Sequence, residues 1–176
     1  MPDNTPLAKR IYETAHITGE FTLRSGAKSH EYFDKYLFEA HPGLLKNIAE
    51  AMVQLVPPNI DALAGLEMGG IPIATMLSQL TGLPALFVRK KAKDYGTCKI
   101  AEGGQVRGRK LLIVEDVVTS GGAILDAAKA LRAEGAELGA VICVIDRESG
   151  GPANLAKSGL ILTSLFTMSE LKKAGA

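Results

Sequence analysis

The sequence is short of cysteine, with only Cys98 and Cys143 in 176 residues, no Cys-x-x-Cys pair and no His-Cys cluster. A disulfide framework and a structural zinc site are therefore not expected, and a reducing compartment fits. Net charge is nearly absent, because 20 Lys+Arg face 19 Asp+Glu for a formal +1. Coating nucleic acid or binding an anionic membrane requires a clear basic excess, so neither partner is expected and any anion site must be local. No stretch approaches the roughly 18–20 apolar residues that span a bilayer, and the start Met1-Pro-Asp-Asn-Thr-Pro-Leu-Ala-Lys-Arg10 lacks the apolar run of a secretory signal. The expectation is a soluble, cytoplasmic protein. Repeats at roughly 20–50-residue spacing and low-complexity runs are also missing. One continuous domain over 1–176 is expected, with about the first 40 residues as an N-terminal appendage; a chain of this length buries about 70% of its unfolded surface.

What is present is an α/β alternation. Thr5-Pro6 reads as an N-cap with proline in the first turn, and Leu7, Ile11 and Ala15 recur at helical spacing, predicting a helix near 5–17. Phe21-Thr22-Leu23 and Tyr32-Phe33, on either side of Ser25-Gly26, predict two short strands, and a helix around 43–56 ends at Pro57-Pro58. From Asp61 onward, apolar runs and helical patterns alternate: Ala62–Leu66, Ile71–Leu80, Ala85–Val88, Leu111–Val114, Ile124–Leu131, Ala140–Ile145 and Leu160–Leu165. Four or five strands with intervening helices predict a central, mainly parallel sheet flanked by helices. Leu111-Leu112-Ile113-Val114 is apolar without alternation, as a strand covered on both faces requires. Ligands of such sheets bind beyond the carboxyl ends of the strands, so the residues after each apolar run carry the functional interest.

After Val114 stands Glu115-Asp116-Val117-Val118-Thr119-Ser120-Gly121-Gly122-Ala123, and then a helix. Two carboxylates at the mouth of a buried strand are costly to desolvate unless a polyol or a cation meets them. Hydroxyls, flexible glycines and a helix N-terminus together suit a phosphate. A sugar phosphate satisfies both halves at once; an exposed turn capped by Thr119 or Ser120 is the plainer alternative. The segment is neither a Walker loop nor a dinucleotide fingerprint.

Three further segments lie at comparable places. The connection from Val88 to Leu111 carries Arg89-Lys90-Lys91-Ala92-Lys93-Asp94-Tyr95-Gly96-Thr97. A loop of about 20 residues without apolar periodicity suits a lid that a diphosphate would order, or else a solvated charge run. Gly65-Leu-Glu-Met68-Gly69-Gly70-Ile-Pro-Ile-Ala74 follows a strand and opens a helix, so its amides can hold a second phosphate or simply make a tight turn. Arg147, in Asp146-Arg147-Glu148, carries a planar guanidinium suited to a carboxylate ligand, or to pairing with its acidic neighbours. Tyr32-Phe33 borders a ligand or belongs to a core strand.

An apolar strand, two acids, two apolar residues and a Thr/Ser/Gly loop resemble the phosphoribosyl-diphosphate (PRPP) signature of the type I phosphoribosyltransferases. Arg-Lys-x-Ala-Lys-Asp-Tyr-Gly-Thr is similar to the mobile catalytic loop of the orotate phosphoribosyltransferase family, and Phe21-Thr-Leu-Arg-Ser-Gly-Ala-Lys-Ser-His-Glu-Tyr-Phe-Asp34 looks like its N-terminal signature. The resemblance implies the type I phosphoribosyltransferase fold with a small N-terminal hood, and transfer of phosphoribose from PRPP to orotate. It implies PRPP contacts from Arg24, Arg89, Lys90, Lys93, Tyr95 and residues 115–123, with Lys93, Glu115 and Asp116 catalytic. Met68, Gly69 and Gly70 would form the diphosphate loop, and Tyr32, Phe33, Thr119 and Arg147 would hold orotate. It further implies Mg²⁺ carried mainly by PRPP, with Asp116 the one candidate protein ligand, and a homodimer whose lid serves the neighbouring subunit. Three positions depart from the common pattern: Arg24 replaces the usual Lys, Gly69 stands where many bacterial relatives have Lys, and Tyr95 where many have His. A transferase for another base and a non-catalytic PRPP-sensing regulator are the rival expectations. With the chain ending at Ala176, a fused decarboxylase is not expected.

Overall fold

The computed structural model describes residues 4–22, 26–91 and 99–176. Helix α1 (Thr5–Ala15) carries proline in its first turn and buries Ala8, Ile11 and Ala15, the stripe read from the sequence. It stops short of 17 because His16 turns extended and opens β1 (His16–Thr22), which pairs antiparallel with β2 (Lys28–Phe33). Across this ladder Ile17 faces Tyr32 and His16 faces Phe33, β-branched and aromatic residues that favour pairing over the helical continuation. Both strands are longer than expected, and part of the Ser25-Gly26 turn lies outside the described residues.

The helix expected around 43–56 is present, and a short helix that the sequence reading lacked precedes it. Helix α2 (Lys35–Ala40) starts where Asp34 accepts a hydrogen bond from Tyr36 N–H, and its six residues are too few to show periodicity. Helix α3 (Pro42–Met52) is capped by His41, whose Nδ1 accepts from Leu44 N–H at 3.2 Å, and its end tightens into a 3₁₀ turn at Val53–Leu55.

The remaining elements are β3 (Ala62–Leu66), α4 (Gly70–Thr81), β4 (Ala85–Val88), β5 (Ala101–Glu102), β6 (Lys110–Val118), α5 (Gly122–Ala133), β7 (Glu137–Asp146), α6 (Gly151–Ala156), β8 (Ile161–Thr167) and α7 (Met168–Gly175). Among the described residues the central sheet has six strands in the order β5-β4-β3-β6-β7-β8. All its pairings are parallel except β4 with the short edge strand β5. Alternate residues of its central strands feed two cores. Leu63, Leu112 and Val114 pack on one face with α1, α3 and α4; Ala62, Ala64, Leu111 and Ile113 pack on the other with α5. Cys143 is fully buried in the second core, where burial and nearby carboxylates push its thiol up, so it is inert packing.

One difference from the sequence reading matters for function. Strand β6 does not end at Val114 but continues through Glu115, Asp116, Val117 and Val118, because the ten-residue β7 offers ladder partners as far as Val118↔Asp146. The two acids are therefore locked into a paired strand. No helix among the described residues is long and apolar enough to cross a membrane.

Candidate active site

The acidic pair lies at the carboxyl end of the central strand, where the topology converges. Asp116 is fully buried and Glu115 nearly so. Asp116 Oδ1 accepts from Val117 N–H at 2.5 Å, and Glu115 Oε1 accepts from Asp116 N–H at 3.0 Å. Two residues of α2, one turn apart, close on the same spot. Lys35 Nζ lies 2.5 Å from Asp116 Oδ2, and Glu39, 7% exposed, points its Oε1 into the cluster without a hydrogen-bond partner.

This arrangement sorts the charges. Burial, reinforced by the close approach and charge of Asp116, pushes Glu39 up to about 9 and Glu115 well above the usual carboxylate range. Burial works against Asp116 too, but the neighbouring Glu115 and Glu39 carboxyls and the Lys35 ammonium outweigh it and hold Asp116 low. Burial likewise opposes the Lys35 charge, and Asp116 outweighs it, so the ammonium is held. Asp116 is thus held toward its charged form with Lys35 as counter-ion, while Glu39 and Glu115 are pushed toward their neutral forms.

The segment that follows has the features of an anion site. Helix α5 begins after Gly121, whose φ of 82° suits glycine, and no side chain caps it. Its first amides, at Gly122 and Ala123, therefore remain open, with Thr119 and Ser120 exposed beside them. Asn154 Nδ2 donates to Ser120 carbonyl oxygen at 3.1 Å and fixes the loop from α6. The plainer reading, a turn capped by Thr119 or Ser120, does not describe this helix.

The Met68–Gly70 turn closes over the acids. A side chain at Gly69 would fall on Asp116 Oδ2 and within 2.8 Å of Glu39 Oε1. At Gly65, a Cβ would stand 2.7 Å from Gly70 carbonyl oxygen and 2.8 Å from Ala74 Cβ. Glycine at both places lets the β3–α4 loop lie directly on β6, while Met68 is exposed.

Tyr32, Phe33, Lys35, Val117, Thr119 and Arg147 line one crevice of about 190 Å³. The four residues expected to hold a planar base, Tyr32, Phe33, Thr119 and Arg147, are thus brought together from three places in the chain. Arg147 is exposed, its backbone N–H donates to Val118 carbonyl oxygen at 2.8 Å, and among the described residues its guanidinium forms no salt bridge to Asp146 or Glu148. Those acids are engaged elsewhere: Asp146 Oδ1 accepts from Glu148 N–H at 2.9 Å, and Glu148 Oε2 from Ser169 N–H at 2.9 Å.

Of the cations expected in the lid, Arg89 and Lys90 border a separate hollow with Glu67, Ala123 and Asp126, which reaches the start of α5 at Ala123. Arg89 Nε lies 3.5 Å from Glu102 Oε1, and Lys90 N–H donates to Glu67 Oε1 at 2.5 Å. Arg24, Lys93 and Tyr95, together with Cys98, lie outside the described residues. The sequence reading missed Lys35 and Glu39; their signal, charges four apart on a short helix capped by Asp34, is indistinguishable from an exposed ion pair until α2 is placed against β6.

As for a divalent cation, no group of three His, Cys, Asp or Glu among the described residues is arranged to hold a metal by itself. The donor set, one ionised carboxylate with buried unpartnered oxygens on Asp116 and Glu39, fits a Mg²⁺ that keeps most of its ligands from substrate oxygens and water.

Comparison with known proteins accords with this geometry. A model of the phosphoribosyl transferase domain family matches residues 37–161. An orotate phosphoribosyltransferase of Nocardioides sp. is 56% identical over 173 residues, which are 97% of each chain. The crystal structure of Mycobacterium tuberculosis orotate phosphoribosyltransferase with Fe(III) dicitrate superposes with a TM-score of 0.87 at 31% identity, covering 97% of this chain and 99% of that one. A crystal structure of the same enzyme in complex with PRPP gives a TM-score of 0.83 at 28% identity, with 97% and 99% covered.

Proposed function

The chain belongs to the phosphoribosyltransferase family, among its orotate phosphoribosyltransferases, and from that premise we propose how its own residues perform the transfer. The reaction joins orotate to the phosphoribosyl group of PRPP, giving orotidine 5′-monophosphate and diphosphate, a step of pyrimidine synthesis. The observation that carries the assignment of roles is the juxtaposition in one place of a buried acid pair, an uncapped helix N-terminus and a crevice holding Arg147.

Thr119–Ala123 takes the 5′-phosphate on the open amides of α5, and the Met68–Gly70 turn takes the diphosphate. Glu115 and Asp116 hold the ribose hydroxyls, and the Asp116 carboxylate favours the positive charge that develops at C1 as the diphosphate departs ahead of full attack by the ring nitrogen. Displacement proceeds with inversion and needs no covalent enzyme intermediate. Lys93, with Arg89 and Lys90, stabilises the departing anion; Arg24 and Tyr95 complete the PRPP contacts. Tyr32 and Phe33 border the pyrimidine, and Arg147 grips the carboxylate of orotate in bidentate fashion with Thr119 beside it. Mg²⁺, when bound, neutralises diphosphate and ribose oxygens, with Asp116 as the protein's candidate ligand. The same proposal includes a cytoplasmic homodimer in which the β4–β6 connection of one protomer serves its partner. Exposed Met68, Leu80 and Phe87 on the β3–α4–β4 unit offer apolar surface for that association.

The experiment is direct. Protein, Mg²⁺ and PRPP are mixed with orotate and the loss of orotate absorbance is followed, with uracil, adenine and hypoxanthine as competitors for the role of acceptor. Turnover of a base lacking the carboxylate at a rate equal to orotate would remove Arg147 from the specificity argument.

A further inference from the structure

Lys35 has no role in the reaction as derived so far, yet it is, among the described residues, the one cation within ion-pair distance of the acid cluster. Its side chain is 32% exposed while that of Asp116 is 0% exposed, so the ammonium is the part of the pair that faces outward. Lys35 lines the same crevice as Val117 and Thr119, which lead from the acid pair into the phosphate loop, and as Arg147. An ammonium has three donors. The contact to Asp116, at 2.5 Å, takes up one direction and leaves the others for a ligand. The pair is electrostatically matched.

A resting ion pair on the wall of a polar crevice is complementary to a ligand that carries hydroxyl donors and anionic oxygens side by side. The hydroxyls satisfy the carboxylate, and the anion satisfies the ammonium. A ligand with only one of the two would leave a charge unmatched in a buried place, which is costly. At this spot the β3–α4 loop contributes no cation, because Gly69 has no side chain and the space beside it is filled by Asp116 and Glu39.

We propose that Lys35 is a PRPP-binding residue: at rest it is the counter-ion of Asp116, and on binding it exchanges that partner for an anionic oxygen of PRPP while the ribose hydroxyls take Asp116. This inference rests on Asp116 being the ribose-binding acid. It gives the hood helix α2 a direct part in holding the sugar phosphate.

The test is a mutant cycle read by calorimetric titration of the full chain with Mg²⁺ and PRPP, with KM for PRPP and for orotate measured alongside. Lys35→Gln is expected to weaken PRPP binding about 10- to 100-fold, the scale of a charge-assisted hydrogen bond, and to leave KM for orotate within about threefold. Lys35→Arg, which keeps the charge, is expected to recover most of the loss. The decisive comparison is Asp116→Asn against the double variant Lys35→Gln/Asp116→Asn, in which the pair is neutral and no buried charge is stranded. A further drop in PRPP affinity on adding Lys35→Gln supports a contact of Lys35 with the ligand. Unchanged or tighter binding in the double variant overturns it and leaves Lys35 as a counter-ion only. Asp116→Asn alone reports separately on the acid: wild-type PRPP affinity in that single variant would refute the ribose role of Asp116, whatever Lys35 does.

Discussion

Replacing Gly69 by alanine tests the packing of the site with one methyl group. The backbone at Gly69 is ordinary, φ −71° and ψ −29°, so alanine meets no conformational objection there and any effect must be steric. The new Cβ would fall on Asp116 Oδ2 and 2.8 Å from Glu39 Oε1. Asp116 has little room to yield, since its Oδ1 is held by Val117 N–H and its Oδ2 faces Lys35. The loop cannot sink either, because Gly70 already backs onto the Val114 carbonyl. Overpacking of this kind costs about 1–3 kcal/mol. At about 2–4 °C per kcal/mol for a chain of this size, Tm should fall by roughly 2–12 °C. The β3–α4 turn must also lift from β6, so KM for PRPP should rise about tenfold or more, near the loss of one charge-assisted contact. Differential scanning calorimetry and initial rates at varied PRPP measure both. A Gly69→Ala protein with wild-type Tm and wild-type KM for PRPP would show that Asp116 and Glu39 do not lie beneath this turn.

Arg147→Ala should abolish most orotate use while calorimetric PRPP affinity stays near wild type; equal loss of both would make Arg147 structural. Lys93→Ala should lower kcat by about 10²–10³ with modest change in KM, as expected for a contact made in the transition state, and near-normal turnover would remove the lid from the mechanism. The pH dependence of stability follows from Glu39, whose carboxyl moves from 4.5 to about 9 in the fold. Between those values the folded protein holds a proton that the unfolded chain has released, so stability falls as pH rises through that window. Tm should therefore drop more steeply from pH 5.5 to 9 in the wild type than in Glu39→Gln, and parallel profiles would place Glu39 outside the cluster.

How far the sequence could be read depended on what kind of signal each part left. Sheet strands in a doubly covered layer must be apolar on both faces, so Ala62–Leu66 and Ala85–Val88 were legible to their end residues. Strand β6 was cut short at Val114, because hydropathy stops at Glu115 whereas the hydrogen-bond ladder to β7 does not. Helix α2 left no periodic trace in six residues, and with it went Lys35 and Glu39. The terminal helix α7 was also missed, although Thr167 and Glu170 form a capping box at its start.

By itself the sequence determined the chemistry that neighbouring residues share: an acid pair running into a Thr-Ser-Gly-Gly turn, a cationic stretch and an arginine after a strand. Such groups stay adjacent in any fold, and covalent proximity makes them a readable motif. Only the tertiary structure decided which acid is ionised, that Gly69 must lack a side chain, and that Lys35 shares the crevice with Thr119 and Arg147. Coulomb attraction and steric exclusion act through space, and the chain brings Lys35, Gly69 and Asp116 within contact only after α2 and the β3–α4 turn have packed onto the end of β6.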